Sequence, residues 1–213
     1  VWQQARAAAI GPVVVAAAEA EIVRAIGQAG GHAVLTDPGL PSGSDRVFQA
    51  LMDFDPAGYH DVAVNLQGDL PALDPGAIRA VAAALRAGDA DIATLAAAIT
   101  DPADFDNPNV VKPVVAWAPD KQTGRALYFT RARAPAGDGP LFHHIGIYAY
   151  RREALARFVA LPPSPLEQRE KLEQLRALEA GMTIAVARVD QVPLSVDTAD
   201  DLAKARALLG AAS

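Results

Sequence analysis

Short runs of β-branched and apolar residues alternate along this chain with longer, alanine-rich stretches in which apolar positions recur every three or four residues. The short runs predict strands at Pro12–Ala16, Ala33–Thr36, Val62–Gln67, Asp91–Ala96, Val110–Ala116, Leu127–Thr130, His144–Tyr150, Ile184–Arg188 and Val192–Val196. The longer stretches predict helices at Gln3–Ile10, Glu19–Ala29, Ser44–Phe54, Pro75–Ala87, Arg151–Ala160, Leu166–Gly181 and Thr198–Leu209. Strands that alternate with helices of these lengths indicate an α/β fold whose sheet is mixed, mostly parallel and flanked by helices.

Two parts of the pattern depart from simple alternation. Between Val110 and Tyr150 the predicted strands have little helix between them, which predicts a small antiparallel extension of the sheet. The first helix, Gln3–Ile10, has no strand before it, although a helix in an alternating fold normally follows one. We therefore expect a further βα segment before Val1, within a single α/β domain that takes in residues 1–213.

Charge and composition narrow the classes of function. The 213 residues include 19 Lys and Arg and 25 Asp and Glu, for a net charge of −6, and no cysteine. An acidic chain is a poor binder of nucleic acid or of an anionic membrane, so we expect neither as a partner. Without cysteine, a disulfide framework, a thiolate zinc site and a cysteine nucleophile are excluded. No apolar run approaches the ~18–20 residues of a membrane-spanning helix.

Two aspartates directly follow predicted strands, which is where ligands of open α/β sheets bind. Asp69 lies in the run VAVNLQGDLP at Val62–Pro71, and Asp197 follows the predicted strand Val192–Val196. A carboxylate in this position suits Mg²⁺, which proteins often hold through one or two carboxylates and the phosphates of a substrate. The alternatives are an Asx turn at Asp69 and an ordinary helix N-cap at Asp197 or Thr198.

Two further strand ends carry groups that suit a sugar or a phosphate. The run TDPGLPSGSDR, from Thr36 to Arg46, leads into a predicted helix whose free amides and hydroxyls can hold a sugar hydroxyl, a base edge or a phosphate. Arg131 follows the apolar strand Leu127–Thr130, and its guanidinium suits bidentate recognition of a carboxylate or phosphate. The alternatives are a capped turn at the first position and a surface salt bridge at the second.

The segment HHIGIYAYR, at His143–Arg151, alternates in the manner of a strand. One face of that strand carries His144, Gly146, Tyr148 and Tyr150. This face is polar and aromatic, which fits a hydroxyl-rich ligand such as a sugar, although a solvated sheet face is the alternative. On the predicted helix Leu166–Gly181, leucines form the buried stripe, so Glu173 and Gln174 are explained on their own by a solvated helix surface.

Taken in order, these segments resemble one known family, the 3-deoxy-manno-octulosonate cytidylyltransferases, or CMP-KDO synthetases. The matching motifs are SGSDR, NLQGD with its following Pro71, DFDNPNVVK, ALYFTRA, HHIGIYAYRR, SPLEQREKLEQLRAL, and VDT with the nearby DDL. The likeness runs along nearly the whole chain, and the combination of PLE–EKLEQLR with HHIGIY is hard to match elsewhere. The short loop APAGDGP looks like the version found in alphaproteobacterial members.

The resemblance implies a Rossmann-like nucleotide-diphospho-sugar transferase fold. It also implies a Mg²⁺-dependent reaction of CTP with the eight-carbon sugar acid KDO, which yields CMP-KDO and pyrophosphate for lipopolysaccharide biosynthesis. By this resemblance Asp69 and Asp197 are the catalytic and metal-binding carboxylates. The CTP-binding residues that it implies are Thr36, Ser42, Gly43, Ser44, Gln67 and Asp69. The sugar-binding residues that it implies are Arg131, His144, Tyr148, Glu173 and Gln174.

Further expectations follow from the same resemblance. Residues 110–190 are expected to form a sugar-binding and dimerisation subregion, the protein is expected to be a cytoplasmic homodimer, and a basic phosphate loop is expected before Val1. Two other functions stay open on the residues alone. One is a nucleotidyltransferase that acts on another sugar acid, such as a sialic acid. The other is a non-catalytic nucleotide-sugar-binding protein, which need not keep Asp69 and Asp197.

Overall fold

The computed structural model describes residues 1–196 and 198–210. The helices are α1 (Trp2–Ala8), α2 (Ala20–Gln28), α3 (Gly43–Phe54), α4 (Pro75–Arg86), α5 (Arg152–Val159), α6 (Pro165–Glu170), α7 (Gln174–Glu179) and α8 (Ala199–Gly210). The strands are β1 (Val14–Ala17), β2 (His32–Leu35), β3 (Val62–Asn65), β4 (Ile92–Ala98), β5 (Lys112–Trp117), β6 (Thr123–Thr130), β7 (Phe142–Arg151) and β8 (Ile184–Val189). Among the described residues, no helix combines the length and the apolar character needed to cross a membrane.

The strands form two sheets. Strands β1 and β2 pair in parallel, and the other six form a sheet in the order β3-β7-β4-β8-β6-β5. Within this larger sheet β3, β4, β8 and β5 run in one direction, while β7 and β6 run in the other. The predicted α/β class with a mixed sheet and flanking helices is confirmed. Four of the six strands run in the same direction, so the larger sheet is mostly parallel in strand direction. Because β7 and β6 are reversed, however, β4 and β8 are the sheet's one pair of hydrogen-bonded neighbours that run parallel.

The antiparallel extension is present, but it is smaller than predicted. Strands β5 and β6 form an antiparallel hairpin at the edge of the sheet. In contrast, β7 is inserted in the interior of the sheet, between β3 and β4, so assigning it to the extension was wrong. The physical reason is that both faces of β7 are apolar enough to be buried, which suits an interior strand better than an edge.

Two predicted elements differ in the structure. No strand forms at 192–196, where Pro193 lacks the amide hydrogen that a ladder requires and Val196 instead donates its amide hydrogen to the carbonyl oxygen of Asp69. The long helix predicted at Leu166–Gly181 divides into α6 and α7. The break lies at Lys171, whose φ of 58° places it in the left-handed region, which ends the first helix.

Local sequence signals explain where several helices begin. The hydroxyl of Ser42 accepts a hydrogen bond from the amide of Asp45 at the start of α3 (3.3 Å). At the start of α4, the carboxylate of Asp74 accepts one from the amide of Gly76 (2.9 Å). Helix α6 begins with a capping box formed by Ser164 and Glu167. Each cap sets the direction in which a helix leaves the sheet, and the first of them lies at the candidate site.

The core has two parts, one on each face of the six-stranded sheet. Alternate residues of β7 contribute to both, because side chains along a strand point to opposite faces. One part includes Phe129, Tyr148, Tyr150, Leu155, Phe158 and Leu175. The other includes Leu73, Ile78, Val81, Leu85, Ile145 and Ile147. Strand β7 is therefore held rigidly from both sides, and a site built along it inherits that rigidity.

Truncation of Phe129 to alanine tests the first part of the core. Its side chain is fully buried, and we expect Phe129→Ala to lower the free energy of unfolding by about 3–5 kcal/mol through lost burial and a residual cavity. The control is Leu127→Ala on the same strand, where a bulge leaves the side chain 50% exposed. The control should change stability by no more than about 0.5 kcal/mol. Denaturant unfolding measures both, and equal losses would contradict this description of the core.

Candidate active site

The candidate site is centred on the loop that follows β3 and on the adjacent part of β7. Strand β3 ends at Asn65, which pairs with Tyr148 on β7. The chain then continues through Gln67 to Asp69, alongside the N-terminal half of β7. A Cβ atom added to Gly146 would lie 3.6 Å from Nε2 of Gln67. Gly146 therefore leaves room in front of Gln67 that a larger side chain would fill.

A cavity of about 570 Å³ opens at this position. Its lining comes from the loop after β3, from the first half of β7 and from the segment before α8. The lining residues are Gln67, Asp69, Leu70, Asn109, His143, His144, Ile145, Gly146, Val192, Pro193, Leu194, Ser195 and Asp201. The volume lies within the range of small-molecule sites in proteins. Three of the residues predicted from sequence, Gln67, Asp69 and His144, meet in this cavity.

Asp69 has hydrogen-bonding capacity that the protein leaves unused. Its Oδ1 atom is buried and has no hydrogen-bond partner among the described residues. Buried polar atoms in native structures are nearly always satisfied, so an orphaned carboxylate oxygen in a cavity points to a ligand. The backbone oxygen of Asp69 accepts the amide hydrogen of Val196 (2.8 Å), which ties the segment before α8 to this loop.

The second predicted carboxylate, Asp197, lies outside the described residues. On the C-terminal side of it, Thr198 caps α8. Its hydroxyl accepts the amide hydrogen of Asp201 (3.2 Å), and the Asp201 carboxylate accepts both the amide (3.2 Å) and the hydroxyl (2.7 Å) hydrogens of Thr198. The described residues contain no group of three or more His, Cys, Asp or Glu side chains placed to hold a metal ion.

His144 is buried, and its hydrogen bonds define its tautomer. Its Nε2 atom lies 3.0 Å from Oγ1 of Thr94, which is also within reach of the carbonyl oxygens of Ile145 and Ile147. Because those carbonyls can only accept, the single hydroxyl proton of Thr94 goes to one of them and Nε2–H donates to the hydroxyl oxygen. Burial lowers the pKa of His144 to about 3, so the ring is neutral and Nδ1 is an acceptor.

An aromatic row extends from His144 along the same face of β7. The ring centroids of His144 and Tyr148 are 5.6 Å apart, and those of Tyr148 and Tyr150 are 5.8 Å apart. Burial raises the pKa of both tyrosines, so their hydroxyls stay protonated at neutral pH. The face is therefore buried, and the alternative of a solvated sheet face is excluded.

The far end of this row reaches the start of α3. The hydroxyl of Ser44 lies 3.4 Å from that of Tyr150 and donates to Oε2 of Glu173 (3.1 Å). A second cavity of about 400 Å³ adjoins Ser42 and Glu173. Thr36 is farther along the same edge, where its hydroxyl accepts a hydrogen bond from Arg46 (2.5 Å). Gly43, the first residue of α3, is exposed beside Ser42.

Glu173 and Gln174 are not solvated helix surface. Gln174 is 6% exposed, and its Nε2 atom has no hydrogen-bond partner among the described residues. Oε1 of Glu173 is also buried without a hydrogen bond, although Nη2 of Arg176 lies 3.8 Å away. The break at Lys171 gives this short stretch an orientation different from that of a continuous helix. One acceptor and one donor are thus left available beside the aromatic row.

The guanidinium of Arg131 is hydrogen-bonded to three backbone carbonyl oxygens. It donates to the oxygens of Glu170 (2.7 Å), Pro108 (3.0 Å) and Lys171 (3.3 Å). The bonds to Glu170 and Lys171 satisfy carbonyls at the C-terminal end of α6, which helices otherwise leave open, while the bond to Pro108 reaches the loop before β5. The alternative of a surface salt bridge does not apply among the described residues, and a guanidinium retains two further N–H groups for a ligand.

Some lining residues had no signal in the sequence. His143 belongs to the opposite face of the alternating strand, yet it lines the 570 Å³ cavity together with Asn109. The segment Val192–Ser195 also lines it and follows an irregular path where a strand was predicted. Alternation along a strand gives the face of a residue but not the position of neighbouring loops, so these contacts could not be found from periodicity.

The fold and this site define a nucleotidyltransferase class of α/β protein, and comparison with known proteins specifies the family. The sequence model of the family described as cytidylyltransferase matches residues 1–184. The chain belongs to this cytidylyltransferase family.

Curated relatives match nearly the whole chain. The 3-deoxy-manno-octulosonate cytidylyltransferase of Rhodospirillum centenum is 67% identical over 209 residues, covering 98% of this chain and 81% of the relative. The enzyme of the same name from Parvibaculum lavamentivorans is 66% identical over 209 residues with the same coverage. That from Rhodospirillum rubrum is 63% identical over 211 residues, covering 99% and 84%. The family resemblance inferred from the motifs is confirmed.

Two solved structures share the fold. A CMP:2-keto-3-deoxy-manno-octonic acid synthetase complexed with CTP superposes with a TM-score of 0.88 at 34% identity, covering 100% of this chain and 86% of the other. A 4-diphosphocytidyl-2C-methyl-D-erythritol synthase from Anaerococcus prevotii superposes with a TM-score of 0.62 at 13% identity, covering 98% and 86%. The second shows the likeness of fold alone.

The neutral His144 ring predicts a pH dependence of stability. A histidine with a pKa of about 3 when folded and about 6.5 when unfolded binds more protons in the unfolded state between these values. Its contribution is therefore present above about pH 6.5 and is lost as the pH falls. From pH 7.5 to pH 5 the expected loss from this group is about 2 kcal/mol.

Denaturant unfolding at the two pH values measures this loss. His144→Gln keeps a donor near Thr94 but does not titrate, so its loss of stability on acidification should be about 2 kcal/mol smaller than that of the unaltered chain. His32→Gln alters an exposed histidine and is the matched control, which should retain the full loss. If His144→Gln follows the same pH dependence as the unaltered chain, His144 is not neutralised by burial.

Proposed function

We propose that this chain transfers the cytidylyl group of CTP to KDO, giving CMP-KDO and pyrophosphate for lipopolysaccharide biosynthesis. The proposal is carried by one combination: an identity of 63–67% to relatives named for this activity, together with an orphaned Asp69 carboxylate oxygen in a ligand-sized cavity. The CTP complex of the 34% identical synthetase supports CTP as the nucleotide. A cytoplasmic homodimer is part of the proposal, by resemblance to the family.

The nucleotide is proposed to bind along the edge formed by the loop after β3 and the start of α3. Thr36, Ser42, Gly43, Ser44 and Gln67 supply hydroxyl, amide and backbone groups there. The amides at the start of α3 carry the positive end of the helix dipole, which favours an anionic group. Gly146 supports this assignment, because its missing side chain leaves Gln67 accessible.

The sugar acid is proposed to bind against β7 and the α6–α7 break. Nδ1 of His144 would accept a hydrogen bond from a sugar hydroxyl, as would the orphaned Oε1 of Glu173. The free amide hydrogens of Gln174 and the remaining N–H groups of Arg131 would donate to the substrate carboxylate. Tyr148 would form the apolar floor under the ring, which suits the apolar face that a sugar presents.

Mg²⁺ is proposed as the cofactor, held by Asp69 and Asp197. The fit is supported by the buried, unpaired Oδ1 of Asp69, since Mg²⁺ prefers carboxylate oxygen ligands. The hydrogen bond from Val196 to the backbone of Asp69 supports the pairing, because Asp197 is the next residue in the chain. When bound, the ion would neutralise the negative charge that develops on the phosphates.

The transfer itself requires mainly orientation. The anomeric hydroxyl of the sugar acid attacks the α-phosphorus of CTP, the bond to the β-phosphate oxygen breaks, pyrophosphate leaves, and the hydroxyl proton passes to solvent. Phosphoryl-type transfer gains most from positioning and charge stabilisation, so no dedicated base is required. Residues on β7 would orient the sugar while the start of α3 orients the nucleotide, which places the two reacting atoms in line.

A pyrophosphate-release assay tests the substrates. With CTP, KDO and Mg²⁺ the full-length protein should release pyrophosphate, whereas replacing CTP by UTP or KDO by a sialic acid should reduce release strongly. Omitting Mg²⁺, with a chelator added, should abolish it. Release with sialic acid but not with KDO would reject the sugar assignment, and no release with either acid would favour a non-catalytic binding protein.

Replacement of Asp69 tests the carboxylate. Asp69→Asn keeps the size of the side chain but removes its charge, so turnover should fall by at least about 100-fold because charge stabilisation is lost. Asp74→Asn is the control. Asp74 lies five residues after Asp69 on the same loop, and an asparagine there caps α4 as well as an aspartate does. The control should keep full turnover. Retained activity in Asp69→Asn would reject the metal role of this residue.

A further inference from the structure

Lys112 is a fully buried cation that the proposed chemistry does not use. It is the first residue of β5 and pairs with Thr130 on β6, and its exposed fraction is 0%. Lysine is almost never fully buried without a specific partner. A methionine of similar length would fill the same space at lower desolvation cost, so packing alone does not explain a lysine here.

The partners of the Lys112 ammonium are two backbone carbonyls on different segments. It donates to the oxygen of Asn107 (2.6 Å) and to that of Arg131 (3.4 Å). Arg131 in turn donates to the oxygen of Pro108 (3.0 Å). The two side chains therefore link the loop 107–111 to the end of β6 in both directions.

Both linked segments belong to the proposed sugar-acid side of the site. The loop presents Asn109 to the 570 Å³ cavity, and the oxygen of Val111 accepts the amide hydrogen of His144 (2.8 Å). Arg131 also holds the carbonyl of Lys171, two residues before Glu173. In contrast, the Asp69 loop is held by a different segment, through the amide of Val196.

We propose that Lys112 is a positioning residue for the sugar acid, which acts by holding Asn109 in place at the wall of the cavity and Arg131 in place beside the break between α6 and α7. The proposal rests on the function proposed above, since it assigns this wall to the sugar acid. Lys112 itself has no access to the ligand because it is fully buried. Its effect is therefore expected on the binding of one substrate, with the nucleotide side left unchanged.

The test compares Lys112→Met with a matched structural variant. Arg151 also binds backbone carbonyls, those of Gly88 (2.5 Å), Ala90 (2.9 Å) and Leu85 (3.4 Å), but at the opposite end of β7 from His144. Arg151→Met therefore removes a similar clamp without touching the cavity wall. Steady-state kinetics, thermal melting and amide hydrogen exchange are measured for both variants and for the unaltered chain.

We expect Lys112→Met to raise KM for KDO about tenfold, with KM for CTP and kcat within about twofold, because a displaced binding wall weakens one substrate. Amide exchange should accelerate in residues 107–111 and 131–133. Arg151→Met should lower the melting temperature while leaving both KM values unchanged.

Three results would overturn the proposal: an unchanged KM for KDO, an equal rise in both KM values, or the same KM change in Arg151→Met. If the unaltered chain shows no turnover, the proposed function fails by itself. Amide exchange then decides the positioning role alone. Faster exchange at 107–111 in Lys112→Met but not in Arg151→Met supports it, and unchanged exchange rejects it.

Discussion

Strand β7 runs antiparallel between β3 and β4, and the geometry of the site depends on this insertion. Because β7 is reversed, its N-terminal half lies beside the chain that leaves β3, so Gly146 faces Gln67 and His144 reaches the cavity. The hydroxyl of Thr94 on β4 then holds the ring of His144 by a hydrogen bond. With core side chains packed on both of its faces, β7 is a rigid reference to which the surrounding loops are attached.

This arrangement separates residues that build the site from residues that remain available to a ligand. Thr94, Lys112 and most donors of Arg131 are consumed by protein groups, and they hold loops in place. At the candidate site, three atoms are buried without a hydrogen-bond partner among the described residues: Oδ1 of Asp69, Oε1 of Glu173 and Nε2 of Gln174. Leaving such groups unpaired costs free energy in the ligand-free chain. A bound substrate or ion that pairs with them recovers that free energy on binding, which favours ligand contact over a purely structural role.

The sequence predicted the class of fold and most elements because hydrophobic periodicity and helix caps are local properties. Thr36, Ser44 and Gln67 were located at strand or helix ends by the same local signals. What periodicity could not give was the order of the strands: β7 has the pattern of a buried strand, but its neighbours are determined by tertiary contacts. The break at Lys171 was missed for a similar reason. Arg131, from another part of the chain, supports the break by hydrogen bonds to Glu170, and a leucine repeat alone predicts a continuous helix.

The net charge of the chain is −6, and the lining of the 570 Å³ cavity is acidic as well. The residues that line it include Asp69 and Asp201, and no lysine or arginine is among those described. His144 is neutral through burial, and burial also lowers the pKa of His143. The described lining thus offers little positive charge to a nucleoside triphosphate or to a sugar acid, both of which are anions. Carboxylates in such a cavity would repel those substrates unless a cation lay between them, which is the role that the proposal above gives to Mg²⁺.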